Sequence, residues 1–139
     1  MAALQLTIVN RDRRRAERLA RWLVRARPGC HVHVATFRQI RLQDTELLVN
    51  ATTVGMHAAD SLLIDPSALR RDAWVYDLVY HRETPLVRAA RRRGCVAAHG
   101  LSMLLYQGAE AFRLWFRRSP PLEVMRQALQ KELDGKRSR

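Results

Sequence analysis

Lysine is nearly absent from this 139-residue chain: Lys131 and Lys136 are the only two, so arginine carries almost all of the net charge of +12. A charge of that size constrains solubility and non-specific binding and identifies no site. Phosphate-bearing partners and plain arginine-rich composition both fit it. Cysteine is equally scarce, since Cys30 and Cys95 form no CxxC and no dense framework. That excludes a disulfide scaffold and matches a reduced cytosolic protein in which both thiols are small buried apolar groups. Long apolar runs are missing too. Charges interrupt every stretch well short of the ~20 residues a membrane span needs, and no basic segment precedes an apolar run at the amino terminus. The expected location is therefore the cytoplasm, with no membrane partner. His31, His33, His81 and His99 have no tight ligand spacing with cysteines or carboxylates, so no metal is expected. What remains is 47% hydrophobic and 27% charged, without repeats, which suits one globular domain and rules out collagen, mucin-like and wholly disordered chains.

The apolar pattern alternates between two periods. Leu4 to Val9 reads as a strand ending at Asn10, and Arg13 to Arg27 as an amphipathic helix that Pro28-Gly29 stops. His31 to Ala35 alternates as a second strand, a short turn or helical piece follows at Phe37 to Ile40, and Glu46 to Ala51 is a third strand. Ala73 to Tyr80 is nearly continuous in apolar residues, the mark of a strand buried on both faces of a parallel sheet. Thr84-Pro85 caps and starts a helix that Gly94 ends after Arg93, and Cys95 to Ala98 is the next strand. Ser102 to Arg118 predicts a long helix with Met103, Phe112 and Trp115 in the core, and Trp22 partly so on the first helix. Ser119-Pro120-Pro121 opens a last helix, about residues 120–134, before a frayed tail from Lys136 to Arg139. Strands alternating with crossovers predict an α/β fold with a mostly parallel sheet.

In such sheets ligands bind at the carboxyl ends of the strands. Those ends carry Asn10-Arg11-Asp12, Asn50-Ala51-Thr52, Asp77 to Tyr80 and His99-Gly100. Arg11 and Arg15, near a helix N-terminus, suit a phosphate; the competing reading is a solvated basic face. Asp77 is read as a buried hydrogen-bonding carboxylate near the site, and Thr84 as a helix cap.

Four blocks together carry a resemblance: Asn10-Arg11-Asp12-x-x-Arg15-Ala16; Val49-Asn50-Ala51-Thr52-Thr53-Val54-Gly55-Met56; Tyr76-Asp77-Leu78-Val79-Tyr80 with Thr84-Pro85; and Gly100-Leu101-Ser102-Met103-Leu104-x-x-Gln107-Gly108-Ala109. In order and spacing they resemble the NADP-binding, carboxyl-terminal domain of shikimate dehydrogenases. The resemblance implies a Rossmann-like, doubly wound domain and NADP-linked reduction of 3-dehydroshikimate to shikimate, on the route to chorismate. It implies that Asn10, Arg11 and Arg15 hold the adenosine end and its 2′-phosphate. Thr52, Leu78 and Gly100 would line the ribose and nicotinamide side, partly through backbone atoms, and Tyr80 and Gln107 would hydrogen-bond the substrate. Without the resemblance, Tyr80 is a rim aromatic and Gln107 a solvated amide.

The departures from the pattern are as telling. Asp12 stands where the family has threonine or serine, which opens NAD as an alternative to NADP. His99 replaces an aspartate and Ser102 a glycine. The family's first strand, its Gly-rich loop and the substrate domain with the catalytic lysine and aspartate have no counterpart, so no residue is assigned as catalytic. The domain is then expected as a partial one, residues 1–139, with two strand groups whose inner edges lack partners. Its last helix would pack toward the missing substrate domain, which is supplied in cis or in trans. The isolated chain is then expected to lack dehydrogenase activity and to be either marginally stable or self-associating. Other classes are a non-catalytic partner subunit and a basic nucleic-acid-binding module; the second lacks any recognised nucleic-acid motif.

Overall fold

The structure, a computed structural model, describes residues 4–137, and the side chains of residues 4–135. The amino-terminal residues before Leu4 and the end of the expected frayed tail lie outside the described residues. The chain divides into two compact units, Met1–Leu42 and Gln43–Arg139.

The first unit is a βαβ element. Strand β1 (Gln5–Val9) and strand β2 (His31–Ala35) pair in parallel, with Gln5 opposite His31 and Val9 opposite Ala35. Helix α1 (Arg13–Ala26) connects them and packs on both, with Ala16 buried. Asp12 caps its start: Oδ1 accepts from Arg14 N–H at 2.9 Å and from Arg15 N–H at 3.3 Å. Trp22 is 63% exposed, so it adds nothing to the core expected of it. One face of the two-stranded sheet bears Gln5, Thr7, His31 and His33, all exposed and polar enough to stay in water.

The second unit is built on the parallel order β3 (Leu47–Asn50), β4 (Trp74–Asp77), β5 (Val96–His99). Helix α2 (Pro85–Arg93) packs on β4 and β5, and its Leu86, Val87 and Ala90 are buried, as are Val75 of β4 and Cys95 before β5. A segment with a 3-10 turn at Pro66–Ala68 closes that side through Leu69, which is fully buried. Helix α3 (Leu101–Phe116) packs on α4 (Leu122–Arg137). They approach closely, because a methyl added at Gly108 would sit 3.2 Å from Met125 Cε.

The mostly parallel α/β architecture therefore holds, as two separate sheets of two and three strands. Three expectations do not. Strand β4 ends at Asp77, three residues before Tyr80, because the Asp77 carboxylate accepts from Val79 N–H at 3.1 Å and takes that N–H from the strand ladder. Nor is β4 buried on both faces: in-register Leu47, Trp74 and Val96 are 58%, 61% and 49% exposed. Trp115 is also not core, at 78% exposed, since the Leu105–Ala109 side of α3 is the buried one. Met103 and Phe112 are half-buried, and the Phe112 ring packs against Phe116 at a 42° tilt with centroids 4.7 Å apart.

Candidate functional site

In the first unit the candidate residues lie at the β1–α1 junction, where a strand end meets a helix N-terminus. Asn10 Oδ1 accepts from Asp12 N–H at 2.9 Å, which shapes the turn, and Asp12 Oδ2 lies 3.3 Å from Arg15 Nε. All four of Asn10, Arg11, Asp12 and Arg15 are exposed. The helix start thus has its own anion: Asp12 holds the first free N–H groups that would otherwise meet a phosphate. An incoming phosphate is left with the guanidinium groups of Arg11 and Arg15 and meets the Asp12 charge beside them.

In the second unit the ends of β3 and β4 and the start of α3 converge. Asn50 ends β3 by accepting from Thr52 N–H at 3.0 Å and from the Thr52 hydroxyl at 2.7 Å. Thr52 Oγ1 then accepts from Val54 N–H at 3.1 Å, so this hydroxyl shapes its own loop and has only a lone pair left for a ligand. Leu78 and Gly100 meet backbone to backbone. Gly100 N–H donates to Val79 O at 3.1 Å, and a Cβ on Gly100 would overlap the Leu78 carbonyl oxygen. Thr52, Leu78 and Gly100 are thereby brought together by bonded loops. Tyr80 stands at the rim, 40% exposed and edge-on to His81 at 5.8 Å. Gln107 is exposed on α3, in a shallow groove with Met103, Tyr106 and Leu114. Thr84 is the helix cap expected of it, accepting from Val87 N–H at 3.2 Å.

Asp77 is the buried, hydrogen-bonding carboxylate expected of it, but sequence reasoning missed its partners and the turn beside them. Asn50, Asp77 and Thr84 are buried, and Asn50 and Thr84 each donate to the Asp77 carboxylate. Gly55, at φ +102°, turns the chain where a side chain would press within 3.0 Å of Thr84 Cγ2. Asp60 closes the same loop, its Oδ2 accepting from Gly55 N–H at 2.8 Å and His57 N–H at 3.0 Å. The only sequence signal was an aspartate five residues after a turn glycine. His99 Nδ1 lies 3.4 Å from Leu101 N–H, supplying at the start of α3 an acceptor that the side-chain-less Gly100 cannot.

The N–H groups of His57 and then Gly55 hold the Asp60 carboxyl below its ordinary value of 3.8. A folded-state value below the unfolded one stabilises above the unfolded value and is lost as pH falls through the folded one. The 55–60 loop is therefore expected to loosen below about pH 4. Protection of the Gly55 and His57 amides, relative to the intrinsic exchange rate at each pH from 7 to 3, checks this, and Asp60→Asn should remove the pH dependence of that protection. Among the described residues no three His, Cys, Asp or Glu side chains gather as a metal site, and no helix is long and apolar enough to cross a membrane.

Residues 100–130 match the family model described as the shikimate 5′-dehydrogenase C-terminal domain. The NADP-dependent shikimate dehydrogenase of Symbiobacterium thermophilum is 41% identical over 138 residues, which is 94% of this chain and 47% of that protein. This chain is a relative of the shikimate dehydrogenases. Solved structures agree. A shikimate dehydrogenase in complex with NADP+ has a TM-score of 0.83 at 25% identity, covering 96% of this chain and 56% of that one. Quinate dehydrogenase from Corynebacterium glutamicum, in complex with NAD, has a TM-score of 0.82 at 33% identity, covering 91% and 46%. The chain spans a third to about half the length of the curated shikimate dehydrogenases it matches.

Proposed function

We propose that this chain is the nucleotide-binding part of an NADP-linked shikimate dehydrogenase, an oxidoreductase interconverting 3-dehydroshikimate and shikimate in the cytoplasm. The observation that carries this reading is the backbone contact of Leu78 with Gly100, which sets two strand-end segments side by side within blocks shared with the family. When bound, NADPH would supply a hydride from C4 of its nicotinamide. This chain's own residues would hold the dinucleotide: Arg11 and Arg15 at the 2′-phosphate, Asn10 at the adenosine side, and Thr52, Leu78 and Gly100 at the ribose and nicotinamide side. Tyr80 and Gln107 offer a phenol and an amide to substrate hydroxyls or carboxylate, without a titratable base. No group here is assigned the proton transfer.

That role would fall to a partner domain in cis or in trans. The open face of the second sheet supports one. Leu47, Val49, Trp74 and Val96 are exposed apolar residues on a parallel sheet, where both faces are normally covered. Strand β3 pairs only with β4 among the described residues, leaving an edge that takes a further strand or promotes self-association. The exposed side of α4, including Val124, belongs to the same proposed interface.

The test is titration of the full chain with NADPH, followed by nicotinamide fluorescence. Binding is expected. Arg11→Ala with Arg15→Ala should weaken it by at least tenfold, as removal of charge-assisted hydrogen bonds of about 1.5–3 kcal/mol each requires. Adding the amino-terminal half of a relative should then yield shikimate-dependent NADPH formation. Duplex DNA held more tightly than NADPH, with a steep salt dependence, would instead favour the basic-module reading.

A further inference from the structure

Asp77 is the only buried carboxylate among the described residues, fully shielded from solvent, and the donors bound to it are neutral. Its two oxygens serve different parts of the chain. Oδ1 accepts from Asn50 Nδ2 at 3.0 Å and from Val79 N–H at 3.1 Å; Oδ2 accepts from the Thr84 hydroxyl at 2.6 Å. Because a carboxylate only accepts, it dictates the orientation of everything around it. The Asn50 amide must turn its NH2 inward, where it also donates to Val54 O at 3.0 Å, which leaves Oδ1 to hold Thr52 by N–H and hydroxyl. The Thr84 proton must point at Asp77, which leaves its oxygen free to accept Val87 N–H and cap α2. Gly55 then packs directly on Thr84.

We propose that Asp77 is a positioning residue: one buried carboxylate locks the Thr52 loop, the Leu78–Tyr80 segment and the start of α2 into a single body. Thr84, which touches no candidate ligand contact, thereby controls the placement of Thr52 and Leu78. For cofactor binding, the inference rests on the nucleotide-binding reading; the lock itself does not.

An amide cannot replace this carboxylate. In Asp77→Asn, an NH2 facing Thr84 strands the hydroxyl proton, and an NH2 facing Asn50 and Val79 sets donors against donors. Thr84→Val removes the hydroxyl and keeps a methyl against Gly55, whereas Thr84→Ser keeps the hydroxyl. The experiment measures amide exchange and NADPH affinity of the full chain for these three variants. In Thr84→Val and Asp77→Asn, with melts still cooperative, the Thr52, Val54 and Val79 amides should exchange at least tenfold faster. NADPH should bind at least tenfold more weakly, and Thr84→Ser should match the wild type in both. Unchanged protection at Thr52 and Val54 in Thr84→Val overturns the lock. Faster exchange with unchanged NADPH affinity overturns its link to the cofactor. A wild type that binds no NADPH refutes the nucleotide reading, and the exchange data still decide the lock. Should Asp77→Asn not fold, Thr84→Val carries the test.

Discussion

Replacing Gly100 by alanine is expected to lower the melting temperature of the second unit by about 10 °C or more, the largest stability effect of a methyl added at any glycine of this chain. The backbone angle at Gly100 is not the reason, since its φ of −70° is one that alanine adopts freely. Space is the reason. The added Cβ would overlap the Leu78 carbonyl oxygen and sit 2.8 Å from its carbonyl carbon, atoms of a backbone that cannot rotate aside. Overpacking costs about 1–3 kcal/mol where side chains absorb it, and more where backbone must move. Here movement would also break Gly100 N–H to Val79 O at 3.1 Å and Leu78 N–H to Asn50 O at 3.0 Å, so strand end and helix start would part together. Gly94→Ala is the control. With φ +97° and nothing within 4 Å of the added methyl, it pays only for conformation, about 1 kcal/mol. Thermal melts of both variants check the contrast, and equal losses would show that the Leu78–Gly100 contact is not rigid.

Elements stabilised by local signals were legible in the residues. Thr84-Pro85 and Gly94 each mark a helix boundary through a mechanism that operates within four residues, α2 begins and ends where those signals stand, and α1 stops just before Pro28-Gly29. Strand ends were harder. β4 continues in apolar residues through Val79, yet it stops at Asp77 because a side chain captures a backbone N–H two residues on, and composition does not record that event. Burial of Trp74 and Trp115 was misjudged for a related reason. An apolar side chain reports a preference for cover, while the cover itself depends on which elements the fold places opposite.

The candidate site divides in the same way. The family resemblance singled out Thr52, Leu78 and Gly100 as candidates, but not the network beneath them. Asn50 and Asp77 are 27 residues apart, and only the register of β3 on β4 makes them opposite neighbours. Thr84 was legible as a cap and illegible as the second half of a carboxylate's hydrogen-bond set. Long-range partners of this kind carry no spacing signal.

Asp12→Ser is expected to raise the preference for NADP over NAD by about tenfold. A carboxylate and a phosphate charge ~6 Å apart in water repel by about 0.7 kcal/mol, and a 2′-phosphate carries close to two charges, so about 1.4 kcal/mol is at stake. That is tenfold in affinity ratio. The substitution is chosen so that little else changes. Serine is as good an N-cap as aspartate, so the Arg14 and Arg15 N–H groups keep an acceptor and α1 keeps its start. It also releases Arg15 from the exposed contact at 3.3 Å, giving the phosphate a second uncommitted guanidinium beside Arg11. The unphosphorylated ribose gains nothing from this and loses a carboxylate that would accept from its hydroxyl. NAD binding should therefore weaken while NADP binding strengthens, and the gap should narrow as salt shortens the Debye length below 8 Å. Titration of both nucleotides into wild type and variant at two ionic strengths measures it. In the wild type, NADP should still bind more tightly than NAD, because Arg11 and Arg15 together outweigh one carboxylate. The opposite order there would make this chain NAD-selective, with Asp12 as the residue that decides it.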